Sequence, residues 1–274
     1  MKVAALQMTS SMSCADNLQQ AVDLLHEAAQ LGAQLAVLPE YFCLMGQRDT
    51  DKLLIQEPFG AGPIQDRMAQ AAQSLGLWIV AGSLPLSLTL EGHSPQVYNS
   101  SLAFNPQGQC VARYDKMHLF QFKTDTEHYD ERRSLQEGPE PTLFEMQDAS
   151  GECWRIGMSI CYDLRFPELY RFYAQAGADL LLVPSAFTRT TGQAHWETLL
   201  KARAIENMAY VVAPAQSGAH DNGRHTHGHT MLIDPWGVVL AQKETGVGVV
   251  MAEFSRAVLT QQRGQLPALR HRRL

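Results

Sequence analysis

The sequence predicts an α/β fold: a four-layer α-β-β-α sandwich with an internal pseudo-two-fold repeat. Two observations carry this prediction. Short apolar runs, too short for helices, alternate with longer stretches in which apolar residues recur at helical spacing. The second half of the chain also repeats the pattern of the first, which predicts two equivalent sheets. Strands that are apolar throughout are buried on both faces, so helices must cover the outer side of each sheet. Residues 1-274 are therefore expected to form one domain.

The first half supplies alternating strands and helices, followed by a hairpin. The predicted elements are, in order, strand Val3–Met8, helix Asp16–Leu31, strand Leu35–Leu38, helix Ile64–Leu75, strand Leu77–Ala81, and the paired strands Tyr98–Phe104 and Gln109–Tyr114. Residues 105–108 join the last two with turn chemistry, since proline stands second and glycine fourth. Residues 121–142 are rich in charge, glycine and proline, and are predicted to be a loop.

The second half repeats three segments of the first with different loop lengths. The repeated pairs are Gly32-Ala33-Gln34-Leu35 with Gly177-Ala178-Asp179-Leu180, Trp78–Ala81 with Tyr210–Ala213, and the turn 105–108 with Asp234-Pro235-Trp236-Gly237. The other predicted elements are strand Ile156–Ile160, helix His195–Ala209, strand Val247–Phe254, helix Ser255–Gln262 and a basic end, Arg270–Leu274.

Composition, charge and cysteine spacing argue against several classes of function. The net charge of −6 and the lack of a long basic run argue against a nucleic-acid partner. The apolar run at the N-terminus is too short for a signal peptide, and no stretch reaches transmembrane length, so no membrane partner is expected. The five cysteines are odd in number and show no paired spacing, which indicates neither a disulfide framework nor a zinc knuckle. We expect a cytoplasmic protein with free thiols.

One cysteine stands where a thiol becomes reactive. Ile156–Ile160 reads as a buried strand, Cys161 follows it, and Pro167 and Glu168 suit the first turn of a helix. A thiol between a strand end and a helix start lies near backbone donors, as nucleophilic cysteines do. A packed core cysteine would give the same local pattern.

Two further reactive side chains also follow predicted strands, namely Glu40 and Lys116. Strand ends of α/β proteins converge on sites, so these groups can meet Cys161. Together they suit acyl transfer from nitrogen. The carboxylate can take the thiol proton and return it to the leaving amine, while the ammonium and the backbone N–H of Tyr162 hold the oxyanion. Taken singly, Glu40 and Lys116 would each read as an ordinary surface charge.

Three motifs resemble those of the nitrilase superfamily, a group of carbon-nitrogen hydrolases. They are Leu38-Pro39-Glu40, Tyr114-Asp115-Lys116-Met117-His118-Leu119-Phe120 and Ile160-Cys161-Tyr162-Asp163. The resemblance covers nearly the whole chain, in order. It implies a catalytic triad of Glu40, Lys116 and Cys161 on the same α-β-β-α sandwich. It also implies a second catalytic glutamate, matched by Glu131 better than by Glu127 or Glu137.

The resemblance further implies no metal or other cofactor, and at least a homodimer built across the helix after the nucleophile. Near the thiol, Cys161–Leu169 resembles the branch of amidases that act on deaminated glutathione and on α-ketoglutaramate. Pro184-Ser185-Ala186-Phe187 and Ala213–Gln216 favour the deaminated glutathione amidases. The implied activity is hydrolysis of a small carboxylated amide to acid plus ammonia through a cysteine thioester. An ω-amidase acting on α-ketoglutaramate is the alternative.

Substrate binding is expected from residues that follow the nucleophile and from a later helix. These residues are Tyr162, Arg165, Phe187, Arg189 and His195. A substrate carboxylate requires a cation, which Arg165 or Arg189 could supply.

Two other functions remain open at this stage. A non-catalytic binding protein could retain the fold, and a Cys–His hydrolase could use His195 or His118 as its base. The intact set of Glu40, Lys116 and Cys161 favours the carboxylate mechanism, because a histidine base would leave the carboxylate and the lysine unexplained.

A histidine-rich stretch is the remaining candidate site. Alternation would place His225, His227 and His229 on one face of a strand near His220, and neutral imidazole is a good zinc ligand. Residues 221–223 read instead as a turn, and the resemblance implies no metal, so we predict none here.

Overall fold

The computed structural model describes residues 1–88, 95–125 and 128–273. The strands are β1 Lys2–Gln7, β2 Leu35–Val37, β3 Trp78–Ser87, β4 Val97–Phe104, β5 Cys110–Asp115, β6 Gln121–Lys123, β7 His128–Asp130, β8 Leu143–Gln147, β9 Cys153–Met158, β10 Leu180–Leu182, β11 Tyr210–Ala213, β12 Ser217–Ala219, β13 His225–His227, β14 Thr230–Ile233, β15 Val239–Lys243 and β16 Gly248–Glu253. The α-helices are α1 Cys14–Gln30, α2 Pro63–Leu75, α3 Pro167–Gln175, α4 Arg189–Asn207 and α5 Arg256–Gln265.

The two large sheets have matching topologies. Their strand orders are β16-β1-β2-β3-β4-β5 and β8-β9-β10-β11-β14-β15. In each, the second to fourth strands are parallel and the outer ones antiparallel. The C-terminal strand β16 therefore completes the first sheet in the position that β8 occupies in the second. This confirms the internal repeat and shows that one edge strand of the first sheet comes from the end of the chain.

Alternating side chains along each strand build four layers. On β1, Ala4 and Leu6 pack into a core with residues of α1 and α2, whereas Val3 and Ala5 join the core that holds the second sheet. Helices α3 and α4 contact each other, and α4 also contacts β11 and β14 on the second sheet. The predicted α-β-β-α sandwich is confirmed. Among the described residues, no helix is long and apolar enough to cross a bilayer.

Several predicted boundaries are wrong in instructive ways. The strand before Cys161 is Cys153–Met158, and Cys161 opens a 3-10 turn, Cys161–Arg165, that precedes α3. The last α-helix before β11 begins earlier than predicted, at Arg189, because the side chain of Thr188 caps it by accepting from Thr191 N–H. Leu274, at the predicted basic end, lies outside the described residues.

The predicted loop 121–142 also contains regular structure. It holds the antiparallel hairpin β6–β7 and a 3-10 helix, Glu131–Arg133. Both strands are exposed or half-buried, so they carry no apolar run that sequence reading could detect. The short strands β8 and β12 were not predicted either.

Gly157 on β9 tests how tightly the second sheet packs on α3. A Cβ at this position would lie 2.7 Å from the ring of Tyr173, which is fully buried. Gly157→Ala should therefore lower the free energy of unfolding by about 1–3 kcal/mol through overpacking. Urea unfolding measures this. In Gly264→Ala, the matched control in α5, the new Cβ meets nothing within 4 Å. It should be neutral or stabilise by up to about 1 kcal/mol, and a similar loss in both variants would contradict the packing argument.

Candidate active site

Four predicted site residues meet where the two halves of the chain pack together. Glu40 follows β2, Lys116 follows β5, Cys161 follows β9, and Glu131 opens the 3-10 helix after β7. Glu40 and Lys116 are 1% and 0% exposed, and Cys161 is also buried. Charged side chains are seldom buried to this degree unless they are paired.

The Lys116 ammonium is the centre of this cluster. Its Nζ lies 2.9 Å from Glu40 Oε1, 2.8 Å from Glu131 Oε2 and 3.0 Å from Glu131 Oε1. A buried ammonium between two carboxylates is satisfied, whereas removal of the ammonium would leave both carboxylates buried without a cation.

Neutral groups hold the two carboxylates in place. Glu40 accepts hydrogen bonds from Asn99 Nδ2 at 3.0 Å and from the Ala186 N–H at 2.9 Å. Glu131 accepts from the Tyr41 hydroxyl at 2.8 Å and from the Phe120 N–H at 2.7 Å. Sequence analysis missed Asn99 and Tyr41. Asn99 stands within β4, so only its burial inside a strand reveals it.

Burial and neighbouring charges shift the pKa values of the ionisable groups in different directions. Burial raises the pKa of Glu40, with Lys116 opposing and Glu131 adding to the rise. For Glu131 burial acts upward too, but the charges of Lys116 and Lys52 outweigh it and lower its pKa. Burial alone would lower the pKa of Lys116, yet the two carboxylates hold it well above the ordinary lysine value. Lys116 is therefore charged at neutral pH, and Glu40 is the carboxylate better able to accept a proton.

The thiol of Cys161 is protonated in the free protein. Burial and the neighbouring charge of Glu40 raise its pKa well above the ordinary value, although Lys116 opposes them. The Glu40 carboxylate is close enough to the thiol to act on its pKa. The backbone at Cys161 has φ +50, a costly value for a non-glycine residue, and its N–H donates to Pro184 O at 3.0 Å. The thiol thus needs an adjacent base when it attacks, and Glu40 is in place.

A pocket that is open to solvent leads to Cys161, Glu40 and Glu131. Among the residues predicted to bind substrate, Tyr162, Arg165 and Phe187 line it. The Arg165 guanidinium lies 5.8 Å from the Tyr162 ring centre and 5.5 Å from that of Phe187. Sequence analysis missed several other lining residues, including Lys52, Asp49, Tyr129 and Arg224.

Arg189 and His195 do not line this pocket. Both are exposed on α4 and line a neighbouring groove. The early start of α4 turns these two positions toward solvent, so the structure does not bring them to the thiol. His195 reaches the site only indirectly, through a contact of 3.3 Å between its Nδ1 and Arg165 Nη1.

Two other candidate histidines, His118 and His220, have structural contacts. His118 Nδ1 lies 2.7 Å from Asp163 Oδ1, and its ring stacks on Phe166 at 3.7 Å. His220 bonds to Ser10 O and Thr226 Oγ1, each at 2.8 Å. Within the described parts of the chain, no three His, Cys, Asp or Glu side chains are grouped to hold a metal ion.

The predicted histidine face is wrong in one respect. Strand β13 ends at His227, and His229 lies beyond it at φ +57. The rings of His227 and His229 stack on each other, with 4.2 Å between their centres.

Comparisons with known proteins find a family, relatives and a fold that match this chain. A family model described as carbon-nitrogen hydrolase matches residues 2–263. A deaminated glutathione amidase of Synechocystis is 44% identical over 271 residues, which cover 98% of this chain and 97% of that protein. The human deaminated glutathione amidase is 39% identical over 272 residues, covering 99% and 82%. A crystal structure from Saccharomyces cerevisiae, described as a member of branch 10 of the nitrilase superfamily, has a TM-score of 0.87 at 28% identity, covering 100% and 97%.

Lys116→Met tests the ionic cluster. Because it leaves Glu40 and Glu131 buried without their cation, it should lower the free energy of unfolding by about 3–5 kcal/mol. Both carboxyl pKa values would then lie above their unfolded values, so stability is retained at low pH and lost as pH rises. The deficit should be larger near roughly pH 8 than near roughly pH 5 in denaturant titrations.

An exposed lysine provides the control. Lys201 pairs with Glu197 on the surface of α4, where their side chains are 37% and 53% exposed. Lys201→Met should change stability by less than about 1 kcal/mol at either pH. A pH-independent deficit in Lys116→Met would contradict the proposed burial of two unpaired carboxylates.

Proposed function

The chain is an amidase of the carbon-nitrogen hydrolase family, and from that premise we propose that it cleaves small carboxylated amides through a thioester on Cys161. The observation that carries the proposal is the meeting of Cys161, Glu40 and Lys116 at the buried end of an open pocket. These groups supply a nucleophile, a base and an oxyanion donor at one point, and a binding protein would need none of them there.

In the acylation step, Glu40 takes the proton of the Cys161 thiol as the sulfur attacks the amide carbon. The carbonyl oxygen becomes an anion, held by the Lys116 ammonium and by the N–H of Tyr162 in the first turn after the nucleophile. An ammonium has three donors, and in the free protein they face one oxygen of Glu40 and both oxygens of Glu131, so one contact to Glu131 gives way when Lys116 donates to the oxyanion. The C–N bond then breaks, and Glu40 returns the proton to the departing nitrogen.

In the deacylation step, water replaces the amine. Glu40 removes a proton from this water, which attacks the thioester carbon, and the proton returns to the sulfur as the acid leaves. The same donors hold the oxyanion again. We assign Glu131 the role of keeping Lys116 charged and oriented, since it holds the lysine through both oxygens and is itself fixed by Tyr41 and Phe120.

Deaminated glutathione is the proposed substrate, because the curated relatives at 39–44% identity bear that name. Its scissile amide joins an α-ketoglutaryl group to cysteinylglycine, so the released amine is a dipeptide. Ammonia is released from α-ketoglutaramate, which carries the same acyl group. Arg165, which lines the pocket beside Tyr162, is proposed to bind the α-keto acid carboxylate.

Quaternary structure and compartment follow as further parts of the proposal. A homodimer is proposed across α3, where Phe172 remains 45% exposed, and the neighbouring helix α4, where Ile205 is 47% exposed. A cytoplasmic location is proposed because the five cysteines are all free.

Two substitutions test the assigned chemistry. Cys161→Ala should abolish amide hydrolysis, because it removes the nucleophile, and Glu40→Gln should lose comparable activity, because it removes the base of both steps. Release of α-ketoglutarate from deaminated glutathione is the measurement, with circular dichroism to show that both variants fold. Activity of Cys161→Ala within tenfold of wild type would contradict the thiol mechanism. Normal turnover by Glu40→Gln would instead point to a histidine base.

Substrate preference is tested with the same assay. We expect a higher kcat/KM for deaminated glutathione than for α-ketoglutaramate, by roughly tenfold or more, since polar groups built for the dipeptide stay unpaired with the smaller substrate. Both substrates give the same thioester, so the difference must arise in acylation. A tenfold preference for α-ketoglutaramate would identify an ω-amidase with the same mechanism.

A further inference from the structure

Lys52 is a half-buried cation of the pocket that the proposed chemistry does not use. It lies in the 3-10 turn Asp51–Ile55 and lines the pocket. Its Nζ is 5.1 Å from the centre of the Tyr41 ring. Tyr41 directly follows Glu40 and donates its hydroxyl hydrogen to Glu131, so Lys52 stands one side chain away from the catalytic carboxylates.

The three pocket cations differ in how they are neutralised. Arg224 forms an ion pair with Asp49. Arg165 stacks on aromatic rings and contacts His195. Within residues 1–88, 95–125 and 128–273, no carboxylate oxygen lies within 4.0 Å of Lys52 Nζ.

The environment of Lys52 favours the binding of an anion. Burial lowers its pKa, against the more distant charges of Glu131 and Asp49. An ammonium that has lost part of its water without gaining a contact carboxylate is stabilised when an anionic ligand supplies one.

The position of Lys52 says which end of a substrate it would meet. Glu40 returns the proton to the departing nitrogen, so the amine half of the amide lies against Glu40. The wall continuing from Glu40 through Tyr41 to Lys52 belongs to the first repeat. The wall carrying Tyr162 and Arg165 belongs to the second repeat and follows the nucleophile. The pocket thus offers one cation to the acyl half of a substrate and another to the amine half.

We propose that Lys52 binds a carboxylate on the leaving amine, which makes it a specificity-determining residue for amides of anionic amino acids or peptides. This inference rests on the proposed amidase function and deepens it. Both substrates considered above share their acyl half, so a contact to the amine half can separate them. An ω-amide that releases ammonia has nothing to offer Lys52.

The test compares deaminated glutathione with the same molecule carrying a C-terminal carboxamide, on wild type and Lys52→Met. The wild type should prefer the free carboxylate by roughly tenfold to a hundredfold in kcat/KM, the range of a charge-assisted hydrogen bond. Lys52→Met should lose most of this preference, and Lys52→Arg should retain part of it. The coupling between the two changes isolates the contact from general damage to the site.

A charge control comes from the same segment. Arg48 pairs with Asp51 and its side chain is 75% exposed, and it is absent from the residues lining the pocket. Arg48→Met removes the same charge and should keep the wild-type preference.

Equal losses on both forms in Lys52→Met would overturn the inference, since Lys52 would then act through Glu131. A wild type indifferent to the carboxamide would overturn it without any variant. Absence of α-ketoglutarate release from every substrate would overturn the proposed function and this inference with it.

Discussion

The buried ammonium of Lys116 is the constraint on which the active site depends. A fully enclosed cation is tolerated only if anions meet it inside the protein, and Glu40 and Glu131 do so from separate parts of the chain. Those carboxylates in turn need donors, which Asn99 and Tyr41 supply together with backbone N–H groups. Electrostatic satisfaction thereby fixes the relative positions of a strand end, a hairpin and a 3-10 helix.

The need to satisfy buried charged groups also links the two repeats. Glu40 belongs to the first half of the chain, and its second oxygen accepts from the Ala186 N–H of the second half. Close by, the buried carboxylate of Asp163 accepts from the Ile160 N–H, just before the nucleophile, and from the Tyr114 hydroxyl, just before Lys116. The Glu40–Ala186 and Tyr114–Asp163 bonds cross between the sheets, so Cys161 and Lys116 are held at a fixed spacing although they lie on different sheets.

Burial also explains why the Cys161 thiol is protonated in the free protein. Cys161 and Glu40 both have raised pKa values because neither anion is well solvated, and each disfavours ionisation of the other. The pair therefore holds one proton between them over a wide pH range. Attack on a carbonyl moves the negative charge to an oxygen near Lys116, where it is better compensated. The site thus favours the charge distribution of the tetrahedral intermediate over that of a free thiolate.

The sequence alone predicted the sandwich and its repeat, which the structure confirms, and it singled out Glu40, Lys116, Glu131 and Cys161, which the structure brings together. Apolar periodicity, turn chemistry and local motifs are properties of residues that are close in sequence, so they can be recognised without a structure. Tertiary structure alone decided which groups surround them. The pocket role of Lys52 and the exclusion of Arg189 depend on where the chain passes between helices and on where α4 starts. Charge pairing acts between residues far apart in sequence, so only the packing of the two sheets reveals it.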